Sequence, residues 1–427
     1  MIVLLLALLP ARGQQSPKLQ EIVERFYSNY EIPFDNYQRA VFAKKLNKWY
    51  VSTANWVDSR LVIDKTYLFY DEGYRKLPLN PQYGTDSVEF SRYFDEWLVY
   101  HYGLHPYYGY EGWYKDVINF YRAKNKLTDD ELYSLARAYS GYAISLLVDQ
   151  QQDAIKAEMY QCHFTTNCLN EEQIRKYRQI EGEAIKAYKL LASRNPKYET
   201  RVGSIAVKHA NEYMVEFHSL LTFAENHSRT MQLPDNIYPD SLIQKSTEYL
   251  NDCPQDAILV TSGDNDFYPL LYLQHKKKLR TDVHVVNYNL LGLDAFVYRA
   301  TQPQFQAKGI QLSFDTVHYR KTTNDIVILE DSTGSMDLQR ALDSIKYGKA
   351  DERWNLKVLH AKEFVLGTQK GPLRLQFKKP YLFKTDVILL DAVQQLGNRK
   401  LCFTYDQDID GFGDHLTQKG SVWIFND

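Results

Sequence analysis

The chain has 427 residues, enough for two or three domains with substantial cores. Its 51 Lys and Arg against 53 Asp and Glu leave a formal charge of −2, which removes any general electrostatic case for nucleic acid or an anionic membrane surface. The compositional departure is aromatic: 34 Tyr, 20 Phe and 6 Trp make up 14% of the chain, which suits sugar or protein contacts as well as packing inside helical hairpins.

Residues 1–13 read as a signal peptide. Ile2 to Leu9 is an unbroken apolar run, followed by Pro10-Ala11-Arg12-Gly13 and polar Gln14-Gln15-Ser16, although the basic segment that normally precedes such a run is missing. The run is too short to cross a bilayer, and no later stretch approaches 18 consecutive apolar residues. The expectation is a periplasmic or secreted protein, after cleavage, without stable membrane insertion.

Residues 14–126 read as an aromatic-rich helical region. Leu19, Ile22, Val23 and Phe26 recur at helical spacing, as do Tyr37, Val41, Phe42, Leu46 and Trp49. His101 to Trp113 is a Gly-studded aromatic loop, readable as a sugar-stacking surface or as a packed connector.

Residues 127–235 read as a tetratricopeptide-like helical region. Thr128 with Glu131 forms a capping box before Leu132, Leu135, Ala136, Tyr139, Tyr142 and Ala143. Asn170 caps a second helix carrying Ile174, Tyr177, Ile180, Ala184, Ala187 and Tyr188, which stops at Asn195-Pro196. Small residues followed by an aromatic one turn on, with a terminal Pro, match the second helix of such a repeat, though three clean copies are not found. A third amphipathic helix runs from about Tyr198 to Ala224. Between these helices lie Cys162 and Cys168, for which an exported chain predicts a local disulfide; with His163 they match no zinc spacing. Cys253 and Cys402 lie near predicted strands and read as small buried residues, their pairing left open.

Residues 236–427 read as an α/β domain. Ala257 to Val260 is an apolar strand, Gly263-Asp264-Asn265-Asp266 is a polar turn, and Phe267 to Leu279 is a helix ending in His275 and three Lys. Asp282 to Asn287 is a second strand, and a helical crossover this short implies a parallel pair. Ile310 to Phe314, Asp325 to Glu330, Leu373 to Phe377, Leu401 to Tyr405 and Ser421 to Phe425 read as further strands, with a helix over Asp386 to Leu396. The predicted fold class is therefore a multidomain α+β chain: an all-α, helical-repeat-like N-terminal region followed by a Rossmann-like domain with a mostly parallel sheet.

Several separated motifs of this last region occur in an order that resembles a known family. They are Gly263 to Asp266, Tyr268-Pro269, Arg280-Thr281-Asp282-Val283, Asn287 to Leu291, Tyr381 to Asp386, Arg399 to Phe403, and Gly411-Phe412-Gly413 with the closing strand. Together they resemble the C-terminal soluble domain of largely uncharacterised multi-pass membrane proteins of Gram-negative bacteria, related to protein O-mannosyltransferases. The resemblance covers roughly Ser241 to Asp427 and implies a fold, an exported setting and a cell-envelope role. The membrane region that looks like the glycosyltransferase part of that family has no counterpart in this sequence, so transferase activity is not carried over.

The ligand-binding candidates are Ser262, Gly263, Asp264, Asn265 and Asp266, at a strand end where open α/β sheets gather their ligands. Two carboxylates and an amide within three positions offer oxygen donors to a hard cation, with Asp264 and Asp266 as the metal candidates. The competing role is a helix cap: Gly263 for the backbone angle, and Asn265 or Asp266 for the first amides. The turn lacks the third Gly of a dinucleotide fingerprint and the Lys-Ser/Thr of a phosphate loop. No Ser/His/Asp set is identifiable, and His209 and His218, nine apart, fit no two-ligand helical spacing. The catalytic residues are unknown, and no cofactor is expected beyond the divalent cation just named. The favoured function is an exported, non-catalytic cell-envelope protein that binds a protein or glycan partner. The alternative is a metal-dependent envelope enzyme acting on glycans or sugar phosphates at the GDND turn.

Overall fold

The computed structural model describes residues 38–45, 48–57, 60–70, 113–148, 160, 167–200, 203–315, 326–330, 334–352, 356–405 and 410–426. The signal-peptide segment, most of the His101 to Trp113 loop, and Cys162 lie outside the described residues. The chain divides into two compact units, Met1–Met159 and Tyr160–Asp427.

In the first unit, β1 (Gln38–Lys45), β2 (Lys48–Val57) and β3 (Arg60–Tyr70) form an antiparallel meander. The register sets Val41 opposite Ser52 and Lys45 opposite Lys48. This corrects the expected all-α N-terminal region, because Val41, Phe42 and Trp49, placed above on a helix, belong to strands. KWYVSTANWV and RLVIDKTYLFY are rich in β-branched and aromatic residues, which favour a pleated backbone over a helix where side chains crowd the preceding turn. Two helices follow, α1 (Trp113–Arg122) and α2 (Asp129–Leu147), packed on one another. The expected capping box is formed: the Glu131 amide donates to Thr128 Oγ1 at 3.2 Å and the Thr128 amide to Glu131 Oε2 at 2.9 Å.

The second unit begins with α3 (Glu171–Arg194), capped reciprocally by Asn170 and Gln173. A two-rung hairpin, β4 (Glu199–Thr200) and β5 (Gly203–Ser204), leads into α4 (Ile205–Phe223) and a short α5 (Glu225–Thr230). Then come α6 (Asp240–Asp252), β6 (Ile258–Thr261), α7 (Asp264–Lys277), β7 (His284–Asn287), a 3-10 turn over Tyr288–Gly292, and α8 (Asp294–Thr301). The remainder is β8 (Ile326–Leu329), β9 (Ser335–Asp337), α9 (Leu338–Tyr347), β10 (Lys357–Leu359), β11 (Glu363–Thr368), β12 (Gly371–Gln376), β13 (Tyr381–Phe383), α10 (Lys384–Gln394), β14 (Leu401–Phe403), β15 (Leu416–Lys419) and β16 (Val422–Phe425). No described helix is long and apolar enough to cross a membrane.

The expected βαβ unit is present: β6 and β7 are parallel, with Ile258 opposite His284 and Thr261 opposite Asn287. The expected Rossmann-like, mostly parallel sheet is not. The largest sheet runs β15-β16-β14-β6-β7, in which β14, β6 and β7 are parallel but β16 and β15 are an antiparallel hairpin. Two further three-stranded sheets, β10-β8-β13 and β12-β11-β9, each join one parallel pair to one antiparallel pair. The class is α+β with mixed sheets. The expected strand at Ile310 to Phe314 is also irregular, because the Ser313 and Phe314 amides donate to the Asp391 carboxylate at 2.9–3.1 Å rather than to a neighbouring strand.

β6, β7 and β14 are buried along their whole length, as strands covered on both faces must be. On one side lie Ile258, Val260, Val286 and Phe403, packed with Ile388 and Leu389 of α10. Elsewhere α7 packs against both α6 and α4. The α3–α4 pair is thereby joined to the α/β core through α4 instead of opening a stacked array of repeats.

Candidate functional site

The site grows from the carboxyl ends of β6, β7 and β14. The three buried strands lead into Thr261, Asn287 and Thr404, polar residues at their carboxyl ends. Thr261 Oγ1 donates to the Val286 carbonyl at 3.3 Å, so the ends of β6 and β7 are tied at one level. The Asn289 side chain donates to the Ser262 carbonyl, and Asn287 Oδ1 accepts from the Asn289 amide at 3.0 Å. The GDND turn and the 3-10 turn after β7 therefore form one rim.

Helix α7 starts at Asp264, its N-cap is Gly263, and no side chain caps it. The capping role considered for Asn265 or Asp266 is thus not the one these residues take. Their side chains instead reach three different neighbours. Asn287 Nδ2 donates to Asp264 Oδ1 at 3.4 Å. Asn211 Nδ2 on α4 donates to Asn265 Oδ1 at 2.8 Å, and Tyr238 Oη donates in turn to Asn211 Oδ1 at 2.9 Å. Asp266 Oδ1 faces Lys245 Nζ of α6 at 3.5 Å, with about a quarter of the Asp266 side chain exposed.

Asp264 combines two properties. It is exposed to solvent, yet protein surrounds it so closely that loss of hydration raises its carboxyl above the usual range. Lys208 and the Asn287 amide pull the other way, and Glu212 adds to the rise. Tyr238 and Tyr268, both buried, lie within the field of this carboxylate.

The third strand end adds a second set. Tyr288 Oη donates to Asp386 Oδ1 at 2.5 Å, and the other Asp386 oxygen accepts the Phe383 amide at 2.8 Å. Burial raises the Asp386 carboxyl despite the Tyr288 hydrogen bond. Tyr405, just beyond β14, is half-buried, and burial first, then the charges of Asp386 and Asp266, push its hydroxyl up. Tyr405 thus lies within electrostatic reach of both acids and links the two halves of the rim.

Of the sequence-derived candidates, Gly263, Asp264, Asn265 and Asp266 lie on this rim, with Ser262 exposed at its edge. Asp264 and Asp266, the metal candidates, have different partners, Asn287 and Lys245. Among the described residues no group of three or more His, Cys, Asp or Glu is placed to hold a metal ion. Asn287, Tyr288 and Asp386 entered the sequence reading only within expected elements and the family-like motifs, without a site role, and Lys208, Asn211, Tyr238, Lys245 and Tyr405 were not site candidates at all. Only the position of these last five at strand ends and facing helix surfaces marks them, and that position exists only in the fold. His218 is a core residue, buried, stacked on Phe296 at 5.0 Å between ring centroids, and lowered by burial to about 3, while the half-buried His275 meets the Met231 carbonyl at 3.2 Å and His209 is half-buried beside Tyr213. Cys168 is disulfide-bonded, and Cys253 and Cys402 are free thiols.

The site is an acidic and amide-rich rim around a crowded but open carboxylate, with tyrosine rings beside it, in an α+β domain. Residues 243–371 match the family model of TMEM260-associated domain 2. That match falls inside the stretch whose motifs resemble the soluble domain of O-mannosyltransferase-related membrane proteins, and it includes the GDND turn and Asn287. Neither the search of curated proteins nor that of solved structures gives a match.

Proposed function

We propose that the second unit is a non-catalytic glycan-binding module of an exported, cell-envelope protein, with its ligand at the carboxyl ends of β6, β7 and β14. The observation that carries this reading is Asp264, an exposed carboxylate at the strand ends that is not occupied in capping its own helix and whose one hydrogen bond on the rim comes from Asn287. Carboxylate and amide side chains suit neighbouring sugar hydroxyls, because a carboxylate only accepts hydrogen bonds and an amide both donates and accepts. Asp264, Asp266 and Asn289 supply such groups along one rim, with the buried Asn287 amide holding Asp264. Tyr288 and Tyr405 supply ring faces of the kind on which the apolar side of a pyranose packs. The nearly neutral chain adds no long-range pull on a charged ligand, which favours an uncharged glycan over a polyanion. Export rests on the Ile2 to Leu9 run and its polar sequel, and N-terminal sequencing of protein from the periplasmic fraction checks it directly.

The test is titration calorimetry of the purified chain against soluble oligosaccharides, mannosyl ones included. Asp264→Asn is expected to weaken binding by about tenfold, roughly 1.4 kcal/mol, while leaving the melting midpoint in place. Absence of binding across the panel, or loss of binding only together with loss of folding, would sink the proposal. Binding or turnover that chelation abolishes would instead favour a metal-dependent enzyme.

A further inference from the structure

Two cysteines far apart in sequence meet beneath the site. Cys253 ends α6 and is 5% exposed; Cys402 is the middle residue of β14 and is fully buried. Independent contacts hold the last turn of α6 over the sheet. Tyr249 Oη donates to the Thr404 carbonyl at 3.3 Å, and Asp252 Oδ2 accepts the Ser421 amide at 2.7 Å. Gly420, at φ 58°, packs so tightly on the Asp252 carboxylate that a Cβ there would collide with it. From the other side, Arg280 Nη1 donates to the Cys253 carbonyl at 3.0 Å. Held in this way, and with β6 starting five residues later and pairing with β14 at Leu259 and Cys402, the Cys253 thiol lies beside the Cys402 thiol, and both are free in this structure.

We propose that Cys253 and Cys402 are a disulfide-forming pair, oxidised to a covalent cross-link between the C-terminus of α6 and the central strand β14 as the protein folds in an oxidising compartment. In the step, the thiolate of one cysteine attacks the disulfide of a small or protein oxidant and expels one thiol from it. The second cysteine then attacks that mixed disulfide and expels the other thiol. One S–S bond forms in the protein, one is reduced to two thiols in the oxidant, and the two cysteine protons pass to those thiols. Cys168 already carries a disulfide, so oxidation of cysteine is compatible with this chain. The timing follows from the environment. Once the helix is seated both thiols are buried out of reach of an oxidant, and the neighbouring Cys402 and then burial raise the Cys253 thiol above its usual range. The pair therefore oxidises before or during packing and is inert afterwards. Its consequence reaches the site, because α6 carries Lys245 and Tyr249 and β14 leads into Thr404 and Tyr405. The bond would staple two of the elements that frame the rim. The inference depends on the exported reading only for the cellular source of oxidant.

The experiment separates the two. The full chain is refolded from denaturant in a glutathione disulfide/glutathione buffer, trapped by alkylation under denaturing conditions, and digested without reduction. The expected result is a cross-linked peptide pair containing Cys253 and Cys402, with neither residue alkylated. On reduction the melting midpoint of the native chain is expected to fall by about 5 °C or more beyond the fall of a Cys253→Ala variant, in which the Cys168 bridge is still reduced. Recovery of both residues alkylated from folded protein, or linked to glutathione or to another cysteine, overturns the inference. If refolding succeeds but protein taken from cells is reduced, the cross-link stands and the exported reading fails.

Discussion

At the residue scale, buried titratable groups make stability depend on pH in two opposing ways. Glu181 on α3 is fully buried, its oxygens lying against the Glu212 carboxyl but outside good hydrogen-bond geometry, while Lys208 Nζ holds the other side of Glu212 at 2.7 Å. Burial first, then the neighbouring Glu212, raises Glu181 well above 4.5. The folded protein therefore keeps a proton that the unfolded chain releases, and stability declines as pH rises from 4.5 toward the raised value. Glu181→Gln is expected to remove that decline and to stabilise the fold at pH 8 by about 1–2 kcal/mol in denaturant titrations, with little effect at pH 4. An unchanged slope would show that Glu181 is ionised in the fold. Histidines act in the other direction. His218 and His284, both buried, are lowered from 6.5 to about 3 by burial, with Arg299 adding to the effect on each. They stay neutral while the unfolded chain takes up protons, so their contribution is complete above pH 6.5 and is lost as pH falls toward 3. His218→Phe, which keeps an aromatic ring against Phe267 and Phe296, should lower the pH dependence of stability in that window by about one proton, roughly 1.4 kcal/mol per pH unit. Retention of the full slope in this variant would place the titration elsewhere.

At the scale of elements, single side chains join segments that are distant in sequence. Arg280 is the clearest. Its guanidinium donates to the Leu250, Cys253 and Pro254 carbonyls at 2.7–3.0 Å while pairing with Asp282, so it closes the C-terminus of α6 from the turn before β7. The Arg280-Thr281-Asp282-Val283 motif, read above only as part of a resemblance, thereby has a mechanical role. A lysine cannot reproduce that planar fork, and Arg280→Lys is expected to cost about 1–2 kcal/mol in chemical denaturation. Asp391 of α10 does the same for residues 313–314. Asp391→Ala would leave the buried Phe314 amide and the Ser313 amide unpaired, with an expected cost of about 2–3 kcal/mol. A loss below 0.5 kcal/mol in either variant would show that water takes over the contacts. Local signals were legible wherever local chemistry decides. Thr128 with Glu131 caps its helix as read, and Asn170 caps the next as read with Gln173 as a partner the structure adds, because the partners lie three residues apart. The β1–β3 meander was misread because Val41, Phe42 and Trp49 also satisfy a helical period, and only cross-strand pairing distinguishes the two.

At the scale of the whole molecule, the same division holds between short-range and long-range information. The amino-acid sequence by itself determined the βαβ unit around the GDND turn, the helices beginning at Glu171, Asp264 and Lys384 to within a few residues, and the near-neutral charge, but not the helices over Glu225–Thr230, Asp294–Thr301 and Leu338–Tyr347. Each of the elements so determined rests on residues within a few turns of one another. Only the tertiary structure decided that β16 and β15 run antiparallel beside β14, and that Asp264 meets Asn287 within the field of Lys208. It also decided that Cys253 meets Cys402. Strands of three or four uniformly apolar residues carry no alternation to set direction or partner, so their pairing is chosen by the summed packing of both sheet faces. A polar group's environment is likewise the product of every element packed around it. The turn that carries the proposed chemistry was visible in the sequence, whereas the neighbours that give it that chemistry arrive from as far away as Lys208 and Tyr405.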